Sequence, residues 1–345
     1  MSDRHAGCYH AAITRTPGSA PMRQGTPSHD RRSLVTGATG FAGGWLTQAL
    51  VERGDAVVGI NRRAEWPAAW GHRAGRAQLR VCDLADGAGV EAILREERPT
   101  HIYHLAGFAA VGASFRDPEA AWAGNLTATR RLCEAVIRWG GKPRILFVGS
   151  GLVYGPPAGD EPFSEESPLR PDTPYAASKA AADLACFQYA CSPGLDVVRA
   201  RPFNHIGPGQ SAEFAVANFA RQLVAIERGR QPPVLETGDL SARRDLSDVR
   251  DVVAAYLLLL EHGRSGECYN IGTGQSWSMR QVLDRMLALS GLRVELKTRD
   301  DLLRPTEPAG MRIDAGKLRR ETGWSPRYPL DQTLTDTLEA WRREP

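Results

Sequence analysis

The chain has 345 residues, of which 42% are hydrophobic and 24% charged, so it is long enough to bury a large core. The formal net charge is +3, and residues 1–33 carry all of it through five arginines and two aspartates. The rest of the chain is formally neutral, which argues against nucleic-acid binding because no basic stripe is present. The longest apolar stretch, 252–260, is too short to span a bilayer, so no membrane association is expected.

Residues 1–32 are rich in Gly, Pro, Ser and Thr and lack a hydrophobic period, which predicts a disordered or extended leader outside the fold. They hold no apolar run of signal-peptide length. The six cysteines of the chain have no Cys-x-x-Cys pair and no metal spacing. This pattern predicts reduced, mostly buried thiols in a cytoplasmic protein, with no metal site.

From residue 33 onward, short apolar runs alternate with amphipathic stretches. The predicted strands are 33–36, 56–60, 78–82, 101–105, 144–148 and 195–199. The predicted helices are 41–53, 90–97, 118–139 and 175–191. Strands and helices that alternate at this spacing predict an α/β fold built on a doubly wound parallel sheet.

A Gly-x-x-Gly-x-x-Gly motif joins the first predicted strand to the first helix. It consists of Gly37, Gly40 and Gly43, with Phe41 at the start of the helix. Glycines permit a tight turn and a close backbone approach, and the helix N-terminus then faces a pyrophosphate. In this context the motif predicts a Rossmann-type dinucleotide site.

The end of the second predicted strand indicates which dinucleotide binds. An acidic residue there would bind the ribose 2′-hydroxyl of NAD, but this chain has Asn61, Arg62 and Arg63. Arginine accommodates the 2′-phosphate, so NADP is predicted, although two solvated surface arginines would give the same sequence. Asp83 and Leu84 follow the third strand and suit contact with adenine, while Asp83 would serve equally well as a turn residue.

Tyr175 and Lys179 lie four residues apart in an alanine-rich run, and Ser150 lies upstream. Positions i and i+4 of a helix share one face, which brings a phenol and an ammonium side by side. We expect the cation to lower the pKa of the tyrosine from its usual value of about 10. The pair then forms an acid–base device for a carbonyl or an alcohol.

Together these motifs resemble the extended short-chain dehydrogenase/reductase family, in its nucleotide-sugar branch, over about residues 33–342. The matching segments are the glycine turn, 83–84, His-Leu-Ala-Gly at 104–107 (where the family usually ends in Ala), Asn125, Ser150, 153–155, Tyr175 with Lys179, and 201–204. The resemblance implies that Leu105 and Ala106 contact the cofactor and that Asn125 supports a water-linked proton path. A helix-interior asparagine bonded to the backbone is the alternative for Asn125.

Within that branch, segments 111–118, 203–211, 238–245 and 304–307 resemble the enzymes of GDP-mannose metabolism, above all the reductases that act on GDP-4-keto-6-deoxymannose. The residues implied to bind substrate are Asn204, Asn218, Arg221, Arg244, Arg304 and Glu307. The guanidinium groups of Arg244 and Arg304 suit a diphosphate, and Glu307 suits the nucleotide ribose. A surface ion pair is the alternative for either arginine.

The stretch after Ser150 bears on the reaction class. Dehydratases of the family carry an acidic residue there, whereas this chain has Gly151 and Leu152, which cannot act as acid or base. The NADP prediction favours a reductase over an epimerase that recycles bound NAD. The sequence therefore predicts NADPH-dependent reduction of a 4-keto-6-deoxy nucleotide sugar, with GDP favoured; an epimerase, a 4,6-dehydratase and a non-catalytic cofactor-binding scaffold are the alternatives.

The resemblance also implies the domain organisation. Residues 33–200 and 249–277 would form the cofactor domain, with 267–271 as a further strand of the main sheet. Residues 201–248 and 278–345 would form a smaller substrate lobe, and the cleft between the two parts would hold the site. A homodimer through the helices 118–139 and 175–191 is implied in the same way.

Overall fold

A seven-stranded sheet forms the centre of the computed structural model, which describes residues 31–71, 76–157, 159, 161–300 and 310–344. Its strands are β1 (Arg32–Thr36), β2 (Ala56–Asn61), β3 (Gln78–Val81), β4 (His101–His104), β5 (Arg144–Val148), β6 (Val197–Pro202) and β10 (Cys268–Ile271). They lie in the order β10-β6-β5-β4-β1-β2-β3, and every neighbouring pair is parallel. This confirms the predicted doubly wound sheet, with β10 as its edge strand.

Helices cover both faces of this sheet. In chain order, the helices of the described residues are α1 (Phe41–Arg53), α2 (Ala68–Gly71), α3 (Gly87–Glu97), α4 (Val111–Ser114), α5 (Pro118–Trp122), α6 (Ala128–Trp139), α7 (Pro174–Cys191), α8 (Ala215–Glu227), α9 (Val249–His262), α10 (Met279–Ser290), α11 (Gly316–Thr322) and α12 (Leu330–Arg343). Helices α1 and α9 lie over one face, and α3, α6 and α7 lie over the other. None of the described helices is long and apolar enough to cross a bilayer.

The central strands β1, β4 and β5 are apolar at their middle positions because both faces of the sheet are buried there. Leu34 and Ile102 point into the core beneath α3 and α6, and their neighbours Val35 and Tyr103 point into the core beneath α1 and α9. Successive side chains of a strand alternate between faces, so a strand covered on both sides reads as a continuous apolar run. The strands were predictable from the sequence for this reason.

A third core lies apart from the main sheet. It joins α8, α10 and α12 to two small sheets, one of β7 (Asn204–Ile206), β9 (Arg243–Asp248) and β11 (Ser276–Ser278), the other of β8 (Val234–Thr237) and β12 (Glu295–Thr298). The residues of this core come from both segments predicted for the substrate lobe. The exact boundaries of the two parts stay a prediction.

Several element boundaries differ from the sequence prediction. The helix predicted over 118–139 is divided into α5 and α6 by a π-helical turn at Ala123–Thr127. Helix α3 begins three residues early because the Asp86 carboxylate accepts the backbone N–H groups of its first turn. The leader prediction extends too far, since Arg32 opens β1 and Arg31 forms an ion pair with Glu261 at 3.0 Å; residues 1–30 lie outside the described residues.

A buried ion cluster fixes α7 to the sheet. The carboxylate of Asp183 on α7 is fully buried and accepts two hydrogen bonds from Arg201 of β6, at 2.9 and 3.0 Å, and one from Arg199. Burial alone would raise the pKa of Asp183, but the two guanidinium groups outweigh it and hold the pKa below its usual value. This stabilisation is present above the pKa of an unfolded aspartate and is lost as the pH falls through the lowered folded value.

We predict that Asp183→Asn destabilises the protein by about 3–5 kcal/mol, because two buried arginines lose their counter-ion. Chemical denaturation at pH 7 measures the change. The matched control is Asp284→Asn, which breaks an exposed ion pair with Arg280 on α10 and should leave the midpoint nearly unchanged. Equal, small effects of the two substitutions would contradict the prediction.

Candidate active site

The carboxyl ends of β1, β4 and β5 meet at one edge of the sheet, where the strand order reverses. Ligands of open α/β sheets bind at such an edge. Gly37 follows β1, Ala106 lies just beyond β4, and Ser150 lies just beyond β5. Gly37 has a φ of +71°, and a Cβ atom there would lie 2.9 Å from the Ala106 nitrogen, so only glycine fits this approach of two loops.

The glycine turn has the form of an anion-binding site. A Cβ atom on Gly43 would lie 2.0 Å from the carbonyl oxygen of Gly37, so glycine lets α1 pack tightly against the turn. Helix α1 starts at Phe41. Its N-cap residue, Gly40, has no side chain to cap the helix, and the first turn contains no acidic residue. The N–H groups of that turn therefore remain open to a pyrophosphate, and the turn fits a dinucleotide.

The ends of β2 and β3 hold the other residues predicted for cofactor binding. Arg62 and Arg63 are exposed, and the Asn61 side-chain amide donates to the carbonyl oxygen of Arg63 at 3.2 Å, which orders this turn. The Asp83 carboxylate accepts the Ala85 N–H at 2.9 Å, as a turn residue does, and Leu84 is buried in the core. Leu105 and Ala106 are partly buried against the cores on opposite faces of the sheet.

Helix α7 carries the predicted acid–base pair to the same edge. Thr173 caps the helix by accepting the Ala176 N–H, and Pro174 occupies its first turn. Tyr175 is buried, and the Ser150 side chain is close enough to act on the pKa of its phenol. The Lys179 Nζ donates to the carbonyl oxygen of Val148, at the end of β5, at 3.0 Å. The structure thus brings Ser150, Tyr175 and Lys179 together.

The electrostatics of this pair differ from the prediction. Burial raises the pKa of Tyr175, and the polar Ser150 side chain opposes that rise only in part. Burial lowers the pKa of Lys179 to about 8. The expectation that the ammonium lowers the pKa of Tyr175 is wrong for this geometry, because desolvation dominates and the ammonium is directed at Val148.

Asn125 lies in the π-helical turn and is 1% exposed. Its side-chain oxygen accepts the Phe108 N–H at 2.9 Å, and its amide donates to the Ser178 hydroxyl at 2.9 Å. Its backbone carbonyl accepts the Thr129 hydroxyl at 2.6 Å. The residue therefore links the loop after β4 to the helix that carries Tyr175, and its proposed part in a water-linked proton path stays a prediction.

The loop after Ser150 leaves no room for an acid at the next position. The Ser150 hydroxyl accepts the Leu152 N–H at 3.2 Å and starts a short 3₁₀ turn. A Cβ atom on Gly151 would lie only 2.0 Å from the Phe203 ring. Leu152 packs against the apolar cluster that contains Phe203. A carboxylate at position 151 would need this ring to move.

Four of the residues predicted to bind substrate are described, and they lie in two places. Asn204 on β7 and Arg244 on β9 lie on neighbouring parallel strands, with Asn204 opposite Leu246. Asn218 and Arg221 lie one turn apart on α8, where the guanidinium donates to the Asn218 side-chain oxygen at 3.0 Å. Arg304 and Glu307 lie outside the described residues.

Contacts that the sequence did not predict join the glycine turn to the segment 203–211. The His205 ring stacks on Phe41 with a centroid distance of 5.8 Å. The Trp45 indole of α1 donates to the Pro208 carbonyl oxygen at 3.0 Å. In the sequence, the aromatic residues in these two segments were the signal that could have indicated the contacts. Among the described residues, no cluster of His, Cys, Asp and Glu could hold a metal ion.

Comparison with known proteins agrees with this geometry. The family model described as GDP-mannose 4,6 dehydratase matches residues 34–337. The chain is 38% identical over 246 residues to the GDP-6-deoxy-D-mannose reductase of Pseudomonas aeruginosa, covering 71% of this chain and 81% of that protein.

Two solved structures have the same fold over nearly their whole length. RMD from Pseudomonas aeruginosa complexed with NADPH matches with a TM-score of 0.78 and 34% identity, covering 90% of this chain and 99% of that one. The UDP-glucose 4-epimerase of Thermus thermophilus in complex with NAD matches with a TM-score of 0.81 and 31% identity. The match covers 91% of this chain and 99% of that one. The chain therefore belongs to the extended short-chain dehydrogenase/reductase family of nucleotide-sugar enzymes, within the group that the GDP-mannose 4,6-dehydratase model describes.

Proposed function

We propose that the protein reduces the 4-keto group of a 4-keto-6-deoxy nucleotide sugar with NADPH. The observation that carries the proposal is the environment of Ser150. Tyr175 and Lys179 stand beside it as an acid–base device, but the Phe203 ring fills the space at Gly151 and an apolar side chain follows at 152. The site can move a proton at a carbonyl oxygen, and it has no acidic side chain at either position to eliminate water.

The cofactor would be held by the glycine turn and the end of β2. The open N–H groups at the start of α1 suit the pyrophosphate, and Arg62 and Arg63 are exposed where a 2′-phosphate would lie. NADP is therefore favoured over NAD, as in the NADPH-bound relative from Pseudomonas aeruginosa. When bound, the nicotinamide supplies the hydride that reduces C4.

The protein's own residues would handle the proton and the charge. Tyr175, whose pKa is raised by burial, stays protonated at neutral pH and donates its proton to the C4 oxygen. Ser150 donates a hydrogen bond to the same oxygen and stabilises the negative charge that develops there. Lys179, whose ammonium donates to the end of β5, would hold the nicotinamide ribose. One ketone, one hydride and one proton give the alcohol.

The substrate would be a nucleoside diphosphate sugar, with guanosine favoured. Arg244, on the strand that pairs with that of Asn204, and Arg221, bonded to Asn218, offer guanidinium groups suited to phosphate and sugar oxygens. The GDP preference rests on the GDP-sugar relative and on the segments that resemble GDP-mannose enzymes. Cys82, Cys133, Cys186 and Cys268 are buried thiols, as expected for a reaction in the cytoplasm.

The direct test is an assay with NADPH and GDP-4-keto-6-deoxymannose. We expect oxidation of NADPH and a product two mass units heavier, with NADH as a poorer reductant. Tyr175→Phe should lower kcat by about 10²- to 10⁴-fold because the proton donor is lost. Tyr189→Phe, which removes a phenol at the far end of the same helix, should leave kcat unchanged.

Two other results would reject the reductase, and a third would reject the proposed proton donor. Interconversion of intact nucleotide sugars without added cofactor would identify an epimerase, and release of water from GDP-mannose would identify a dehydratase. Full activity of Tyr175→Phe would remove the proposed proton donor.

The pH profile tests the role of Lys179. Burial lowers the pKa of this group to about 8, so the free enzyme loses its ammonium as the pH rises through that value. We predict that kcat/KM is level near pH 7 and falls above about pH 8, since kcat/KM reports the free enzyme. Lys142→Met, at an exposed lysine, should keep this profile. A level profile to pH 10 would contradict it.

We propose that the protein is a homodimer through α6 and α7. Leu184 and Phe187 on α7 and Ile137 on α6 are large apolar side chains that remain 55%, 39% and 40% exposed. Burial of this face against a second copy would remove them from water. We predict that light scattering gives a dimer and that Leu184→Asp gives a folded monomer; a wild-type monomer at assay concentrations would contradict this.

A further inference from the structure

Five buried polar side chains form one continuous line between the glycine turn and the catalytic helix. Each is at most 2% exposed, although several different elements of the fold contribute them. They are Thr36 at the end of β1, His104 at the end of β4, Thr129 on α6, Asn125 in the π-helical turn and Ser178 on α7. A buried polar group destabilises the fold unless it is hydrogen-bonded. The bonds among these five side chains therefore show which groups donate and which accept.

For each hydrogen bond around His104, only one of the two groups can be the donor. The Ala106 N–H donates to the Thr36 hydroxyl at 3.1 Å, so that oxygen already accepts. The Thr129 hydroxyl lies 2.6 Å from the Asn125 carbonyl oxygen and must donate to it. Its oxygen then accepts from the His104 Nε2 at 2.9 Å, which places the ring proton on Nε2. The bare Nδ1 accepts from the Thr36 hydroxyl at 2.8 Å.

The imidazole is neutral in this setting. A charged ring would carry a second N–H on Nδ1, which the Thr36 hydroxyl could accept only by turning its proton away to a group that the described residues do not provide. Burial and the nearby charge of Lys179 lower the pKa of His104 to about 3. The ring is therefore held as one tautomer with both nitrogens used.

The line continues from Asn125 to the catalytic tyrosine. The Asn125 amide donates to the Ser178 hydroxyl at 2.9 Å, and that hydroxyl donates to the carbonyl oxygen of Tyr175 at 2.8 Å. The Asn125 side-chain oxygen holds the Phe108 N–H. The loop after β4 is thus held near both of its ends, at Ala106 through Thr36 and at Phe108 through Asn125.

Gly107, at the centre of that loop, shows how closely the parts approach. A Cβ atom there would lie 2.5 Å from the Asn125 side-chain oxygen and 3.3 Å from the Lys179 Nζ. The loop predicted to contact the cofactor therefore lies directly against the catalytic lysine. A small displacement of Asn125 would change the position of this loop relative to Lys179.

We propose that His104 is a positioning residue, which as the neutral Nε2–H tautomer joins Thr36 to Thr129 and so fixes the catalytic helix relative to the cofactor turn. Its ring is buried and bonds Thr36 and Thr129 through its two nitrogens, so it acts through Asn125 and Ser178. The expected effect on kcat rests on the proposed reductase function. The assignment of the His104 tautomer does not.

Threonine-to-valine substitutions test the line with little change in the volume of the core. Thr129→Val removes the hydroxyl that both accepts from His104 and donates to Asn125, and Thr129→Ser keeps it. Thr47→Val is the matched control, because the Thr47 hydroxyl of α1 is fully buried and has no hydrogen-bond partner among the described residues. Each protein is assayed for kcat, for KM of both substrates, and for NADPH affinity by fluorescence.

We expect Thr129→Val to lower kcat by tenfold or more with less than a threefold change in the Kd for NADPH. Thr129→Ser and Thr47→Val should stay within twofold of the wild type in both. A lower melting temperature for Thr129→Val with unchanged kcat would overturn the positioning role and leave only a structural one.

A measurement on the wild-type protein decides the tautomer even if Thr129→Val does not fold or the enzyme reduces no ketone. The chain has eight histidines, and comparison with His104→Gln assigns the ¹⁵N and ¹H signals of His104 in a two-bond correlation spectrum. We expect the neutral Nε2–H pattern, unchanged between pH 5 and pH 8. An Nδ1–H pattern, or protonation of His104 in that range, would overturn the proposal.

Discussion

The position of α7 against the sheet is the constraint on which the site depends. Two buried charges on this helix hold it in place: Lys179 donates to the end of β5, and one turn later Asp183 accepts from two arginines of β6. Buried charges are tolerated only with such partners. Because the partners lie on the strands that end at the site, the contacts that stabilise the fold also set the height of Tyr175 above the sheet edge.

The sequence predicted the parts of the fold that depend on burial and turn chemistry. The strands follow from apolar runs covered on both faces, and the glycine turn follows from positions where a Cβ atom does not fit, such as Gly37 and Gly43. The π-helical turn at Asn125 was not predictable, since its bonds to Phe108 and Ser178 come from residues far away in the chain. Local composition over 118–139 contains only the signal for a helix.

The pKa values of the acid–base pair were predicted least well, for a physical reason. Proximity in the sequence suggests Coulomb attraction between Tyr175 and Lys179, but the extent of burial decides which effect is larger. In the folded protein, desolvation raises the pKa of the phenol and lowers that of the ammonium to about 8. The shifts favour a protonated tyrosine next to a lysine that titrates near working pH, which suits donation of a proton to a carbonyl oxygen.

Segment 203–211 contacts both the loop after Ser150 and the glycine turn. Phe203 fills the space beside Gly151, and two residues later His205 stacks on Phe41 at the start of α1. A side chain introduced at position 151 would displace Phe203, and the displacement would reach the stacked pair through only one intervening residue. The absence of an acid after Ser150 and the contact with the dinucleotide turn are therefore linked by packing. A change of chemistry at this site would require the segment 203–211 to be rebuilt together with position 151.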